Sequence, residues 1–169
     1  MSSRNQNLAD TFDDYFRSAR QPLLAMAFVL TGDLSVAQDL TQEALMRTWA
    51  RWARVASYDD PHAWTRRVLY NLAISHRRRD RVRQESIVER APSTPAPGDA
   101  HLILAAALRS LPENQVQALV LHDGAGLSVA EVALTMKVPE GTVKSWLSRG
   151  RAAAAKSMNS TDSTPKVGT

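Results

Sequence analysis

Apolar residues recur along this chain at helical spacing, and the recurrence breaks it into segments. A first helix is predicted over about 8–31, with Leu23, Leu24, Met26, Ala27, Val29 and Leu30 as its apolar end. Pro22 lies where a helix kinks or breaks, and Gly32 is placed to stop it. Ser35-Val36-Ala37-Gln38 has the form of a capping box, from which a second helix should run to about residue 54. Its apolar face is Val36, Ala37, Leu40, Ala44, Leu45, Trp49 and Trp52, while Asp39, Glu43, Arg47 and Arg51 form a separate stripe at four-residue intervals. The loop SYDDPH follows, and Pro61 suits the first turn of a third helix over about 61–82. There Trp64, Val68, Leu69 and Leu72 read as core, with Arg66, Arg67, Tyr70, Asn71, Arg77 and Arg78 mostly on the other side.

The pattern then stops. Residues 91–100 read APSTPAPGDA, which no helix can run through and which suits an extended linker. Beyond it a fourth helix is expected at about 100–110 and a fifth at about 112–123, ended by Gly124 and Gly126. Ser128-Val129-Ala130-Glu131 is a second capping box, opening a short helix to about Met136. A tight turn at 137–139 leads into a longer helix from about Glu140 to Lys156. Short helix, turn of three or four residues and second helix form the helix-turn-helix pattern. The expected fold is therefore all-α, with small helical domains at 8–83 and 101–158 on a flexible 84–100 linker. The ends, 1–7 and 159–169, read as frayed tails, the latter disordered.

Composition narrows the chemistry. The 169 residues include 21 Lys+Arg, of which 17 are Arg, against 17 Asp+Glu. A planar guanidinium fork matches phosphate oxygens and base edges, so an Arg-rich surplus points mildly to nucleic acid; codon bias in a GC-rich genome would give the same surplus. There is no cysteine, which removes disulfide and thiolate chemistry. No apolar run approaches a membrane span, and the N-terminus lacks the apolar core of a signal peptide, so a cytoplasmic protein is expected.

Three constellations carry candidate function. In the last helix Val143 and Leu147 are spaced to anchor it, while Thr142, Lys144, Ser145, Ser148, Arg149 and Arg151 offer donors to bases and phosphates. The alternative is an ordinary helical bundle with a solvated basic face. Between Arg66 and Arg83 stand seven Arg and one Asp, a local charge of +6. Such a helix can track a phosphate backbone, with Tyr70 and His76 to stack on bases and Asn71 to bond an unpaired one; a charge run that complements the helix dipole is the plainer reading. Third, Asp39, Gln42 and Glu43 suit a protein-docking face or plain surface better than catalysis. His62, His76, His101 and His122 are scattered, no phosphate-binding loop or nucleophile elbow occurs, and no metal, cofactor or catalytic residue is assigned.

These segments resemble those of extracytoplasmic-function RNA polymerase sigma factors of the sigma-70 family, in order over roughly 10–156 and nearest to the sigma-E-like subgroup of actinobacteria. Asp39, Leu40, Gln42 and Glu43 stand where that family has its acidic DLxQE motif, which implies binding to core polymerase. HAWTRRVLYNLAISHRRR resembles the helix that opens the minus-ten element, with Asn71 in the family's RxxxN pattern beginning at Arg67. The resemblance implies minus-ten contacts from Tyr58 in the 56–62 loop and from Arg66, Arg67, Tyr70, Asn71, Arg77 and Arg78. GTVKS followed by RGR resembles the region that reads minus-thirty-five, implying Thr142, Lys144, Ser145, Ser148, Arg149 and Arg151. Implied partners are core polymerase through its clamp coiled coil and flap, promoter DNA, and an anti-sigma factor in some relatives. Val116, Lys137 and Trp146 depart from the residues the family often has, respectively Arg, a small turn residue and Arg. Two other classes compete: a stand-alone helix-turn-helix regulator, which would bind DNA tightly without polymerase, and a nucleic-acid enzyme, for which no constellation is present.

Overall fold

The computed structural model describes residues 2–84, 105 and 108–161, and every regular element among them is helical. The first module holds α1 (Ser2–Thr31), α2 (Leu34–Trp49), the single turn α3 (Trp52–Val55) and α4 (Pro61–Gln84). The second holds α5 (Glu113–Leu119), which widens into a π-helical turn at Val120–Gly124, then α6 (Val129–Met136) and α7 (Glu140–Thr161). The expected linker and most of the expected fourth helix lie outside the described residues, as does the chain after Thr161. Both outer helices run further than expected, α1 from Ser2 and α7 to Thr161.

α1 passes through Pro22 without breaking. Gly32 ends it at φ 75°, where the left-handed backbone costs a glycine nothing. The cap of α2 differs from expectation. Asp33, already extended at φ −122° and ψ 121°, accepts the Val36 N–H at 3.1 Å, so the helix begins at Leu34 and Ser35 lies within it. An acidic cap directly after the glycine stop leaves no room for a later one. The expected run to residue 54 is also divided. Arg51 leaves helical geometry (φ −121°, ψ 12°), and the bend turns Trp52 and Val55 into the core.

The first core gathers Phe28, Leu69 and Val55 with buried hydroxyls between the helices. Tyr15 donates to Thr65 Oγ1 at 2.5 Å, and Thr48 and Thr65 share a bond of 3.0 Å. Thr48 also donates to the Ala44 carbonyl at 2.8 Å, so the chain of hydroxyls closes on backbone. Beside it Phe12, Tyr15, Trp52 and His62 form an aromatic cluster, and the Trp52 indole N–H reaches Thr11 Oγ1 at 3.1 Å. The second core is smaller and apolar, built on Leu121, Val132, Val143 and Leu147. The modules touch, α4 against the π-helical turn and α1 against α5.

Candidate nucleic-acid interface

The loop before α4 is organised by one carboxylate. Asp60 caps α4, accepting the Ala63 N–H at 2.9 Å, and its second oxygen lies 3.1 Å from Arg66 Nη2. Burial alone would raise this carboxyl, but the Ala63 N–H and the Arg66 and His62 charges together hold it below its ordinary value. His62, half-buried against the Tyr15 ring, is pushed down by burial and then by Arg66, with Asp60 opposing. Tyr58 in the same loop is half-buried. Arg66 Nε is buried without a hydrogen-bond partner among the described residues.

Along α4, Arg67, Asn71 and Arg78 are exposed, while Arg77 is half-buried in an ion pair with Glu113 of α5. Tyr70 is placed differently from expectation. It is only 8% exposed, and burial raises its hydroxyl pKa, with Arg77 countering weakly. It lines the groove between α4 and Leu121, Ala125, Leu127 and Leu134 of the second module, so its ring is no free stacking platform in this arrangement. His76 lies 3.4 Å from Asp80.

On α2 the exposed stripe contains Asp39 and Gln42, with Glu43 half-buried and paired to Arg47 at 2.7 Å. Leu40, expected in the docking set, sits in the core at 8% exposure, one residue off the stripe. The stripe instead continues into Met46 and Trp49, 58% and 49% exposed. Trp49 is expected in the core because an apolar side chain at helical spacing reads as buried, but it merely leans on Phe12, with ring centroids 4.9 Å apart, and Met46 is a surface residue that the spacing does not single out.

In the second module the capping box forms as expected. Ser128 Oγ accepts the Glu131 N–H at 3.2 Å, and Glu131 Oε2 accepts the Ser128 N–H at 2.8 Å. The Ser128 N–H and the Ser128 hydroxyl, which also donates to Oε2 at 3.0 Å, and more weakly the Arg67 charge, hold the Glu131 carboxyl below its ordinary value. Lys137 adopts the left-handed region at φ 57° and ψ 48°, and its N–H bonds the Ala133 carbonyl. The helix-turn-helix bend is therefore made without the glycine that such a backbone favours. Val143 and Leu147 are 0% and 3% exposed and pin α7 down. Lys144, Ser148 and Arg149 are exposed; Thr142, Ser145 and Trp146 are half-buried. Arg151 is exposed and pairs with Asp123 of the π-helical turn at 3.0 Å. Gly150, between Arg149 and Arg151, is a packing residue: a β-carbon there would fall 2.8 Å from Leu119 Cδ1, so a side chain at this position would force Leu119 to shift where α7 crosses α5. Val116 is 7% exposed and belongs to this core, facing away from any phosphate.

Fold and site together define a two-module helical protein with a helix-turn-helix in the second module and a basic helix in the first. Comparison with known proteins gives the family. The description Sigma-70 region 2 matches residues 15–83, and Sigma-70, region 4 matches residues 101–153. The chain is 32% identical over 157 residues to the RNA polymerase sigma-E factor of Streptomyces avermitilis, covering 89% of this chain and 87% of that protein. It is 33% identical over 160 residues to the ECF RNA polymerase sigma factor SigE of Mycolicibacterium smegmatis, spanning 87% of this chain and 61% of that longer protein. Among solved structures, the sigma factor RpoE in complex with the anti-sigma factor NepR from Bartonella quintana superposes with a TM-score of 0.61 at 28% identity, covering 88% of this chain and 97% of that one. The chain belongs to the extracytoplasmic-function sigma factors of the sigma-70 family.

Proposed function

We propose that this chain binds core RNA polymerase and directs promoter-specific initiation of transcription. What supports the reading is the presence in one chain of an exposed acidic and apolar stripe on α2 beside two basic helices of different kinds. A stand-alone regulator needs a DNA-reading helix but no such docking face. Asp39, Gln42 and Glu43, extended by Met46 and Trp49, contact the polymerase clamp, and Leu40 holds the stripe in place from beneath. Tyr58, Arg66, Arg67, Asn71, Arg77 and Arg78 engage the minus-ten strand. There the cost of unstacking a base, a few kcal/mol, is offset by hydrogen bonds to the flipped base and by phosphate contacts. Thr142, Lys144, Ser145, Ser148, Arg149 and Arg151 face the minus-thirty-five duplex in the manner of a recognition helix. Polymerase carries out the bond-forming chemistry, so no residue of this chain is given a catalytic role, and the work is done in the cytoplasm. An anti-sigma factor is a further partner under this reading, since RpoE of Bartonella quintana is held by one.

Run-off transcription tests it. The purified chain is added to sigma-free core polymerase on a promoter library, with Asn71→Ala alongside. Specific transcripts are expected only with the wild-type chain. Their absence beside an active polymerase control, together with tight DNA binding by the chain alone, would overturn the reading.

A further inference from the structure

Arg151 differs from the other donors of α7 in what it holds. Its Nε donates to one carboxylate oxygen of Asp123 at 3.0 Å and its Nη2 to the other, the two-point fit of a guanidinium on a carboxylate. The carboxylate reaches it because the chain widens after α5. There the Ala125 N–H passes over the usual partner to bond the Val120 carbonyl at 2.8 Å, and the Leu127 N–H bonds the Leu121 carbonyl at 3.0 Å. His122 Nδ1 and the Leu127 carbonyl oxygen, 2.7 Å apart, brace the same turn. A π-helical turn carries one residue more than an α-helical one and so redirects the side chains after it. Asp123, next to the last residue of this turn, is the one turned to α7.

α7 needs a hold of this kind. Val143, Leu147 and Gly150 follow one another at spacings of four and three, so they lie on one line beneath the helix, and a single line of contact resists lifting better than rolling. The half-buried Trp146 leans on the core from one flank, beside the stripe of Thr142, Ser145 and Arg149. On the other flank stand Lys144, Ser148 and Arg151, and there the tie is the pair with Asp123. We propose that Asp123 is a positioning residue for the recognition helix, and that Arg151 serves promoter reading by orienting α7 through this carboxylate instead of by gripping phosphate. The inference rests on the functional reading above and refines the part it gives Arg151. Both side chains are about half exposed, so the pair adds little to folding; its worth lies in a bidentate geometry that fixes direction.

The two roles of Arg151 part at Asp123. If Arg151 grips phosphate, Asp123→Asn frees it and tightens binding to any duplex. If Asp123 positions α7, then Asp123→Asn and Arg151→Gln, opposite in charge, act in the same direction, since each lets the base-reading side chains drift. Holoenzyme formed from the full chain and core polymerase is titrated with a promoter recovered by the run-off selection, and with the same duplex scrambled at minus thirty-five. Each single variant is expected to lower the ratio of the two affinities by about two- to fivefold, the range that loss of one exposed ion pair allows. The double variant Asp123→Asn/Arg151→Gln should lose no more than the singles, because the tie is cut only once. Arg151→Gln should keep the salt dependence of binding, whereas a lost phosphate contact would reduce its slope by about 0.9. Thermal melts of the free variants should stay close to the wild type. Tighter binding of both duplexes on Asp123→Asn, a ratio that either single variant leaves intact, or additive losses in the double variant overturns the proposal. A wild-type chain that prefers no promoter refutes the functional reading, and this inference with it; a preference that the variants keep refutes this inference alone.

Discussion

α4 and α7 both present arginines, but they are held in place by different means and offer their side chains in different states. α7 is pinned by apolar contacts alone, Val143 and Leu147 beneath and Gly150 against Leu119. α4 is pinned by Leu69 and Ala73 together with a buried hydroxyl chain through Thr65. At the surface, Lys144 and Arg149 of α7 stand exposed with no ion pair among the described residues. On α4 Arg66 is engaged by Asp60, Arg77 by Glu113 and His76 by Asp80, with Tyr70 buried, while Arg67 and Arg78 stand exposed; on α7 Arg151 is likewise paired, to Asp123. Under the functional reading proposed above, a strand taken up by α4 would exchange for the partners of Arg66 and Arg77, whereas Lys144 and Arg149 of α7 have no ion pair to exchange.

The comparison can be broken first at the anchors. Leu147→Ala should cost about 2–5 kcal/mol and unfold the second module in urea at lower concentration, with the first module's transition little changed. A single coincident loss of both transitions would mean that the modules fold as one unit. Thr65→Val should cost about 1–3 kcal/mol in the first module, since it strands the Tyr15 hydroxyl in the core, whereas Thr48 keeps its bond to the Ala44 carbonyl. If the double variant Thr65→Val/Tyr15→Phe recovers part of that loss, the hydroxyl chain is the cause.

At the surface, Arg149→Ala is expected to weaken promoter binding by about 1–3 kcal/mol if it reads a base edge, with relaxed selection at one position. A loss uniform across sequences would place it on phosphate instead. The smallest effect is with pH. Folding lowers the pKa of His62 from its ordinary 6.5, so the neutral ring is the form the core favours. Its contribution is complete above the unfolded value and is lost as pH falls through the lower folded one. The wild-type chain should therefore lose a little stability on going from neutral to mildly acidic pH, and His62→Phe should flatten that dependence in thermal melts. An unchanged slope would assign it to other groups.

Much of this was legible along the chain. The α1 stop at Gly32 and the Ser128–Glu131 box each follow from local chemistry: a residue free at positive φ and a reciprocal cap. The departures have equally local reasons. The Ser35 box pattern competes with Asp33 for the start of α2, and a side chain directly after a glycine stop reaches the backbone first. Periodicity assigns Trp49 to the core because it records which face a residue is on, not whether another element covers that face. Val116, which stands where the family often has Arg, is turned inward by α5.

What the sequence determined by itself is what depends on neighbours within one or two turns: helical character, the principal stops and caps, the helix-turn-helix spacing and the clustering of arginines. The tertiary structure decided what depends on elements far apart in the chain. It divided α2 at Arg51 so that Trp52 could reach Thr11, buried Tyr70, exposed Met46 and Trp49, and made the glycine between Arg149 and Arg151 a packing residue at the close crossing on Leu119. It also set Glu113 against Arg77, thirty-six residues away. Burial and long-range pairing are properties of two surfaces at once, and a single helix specifies only one of them.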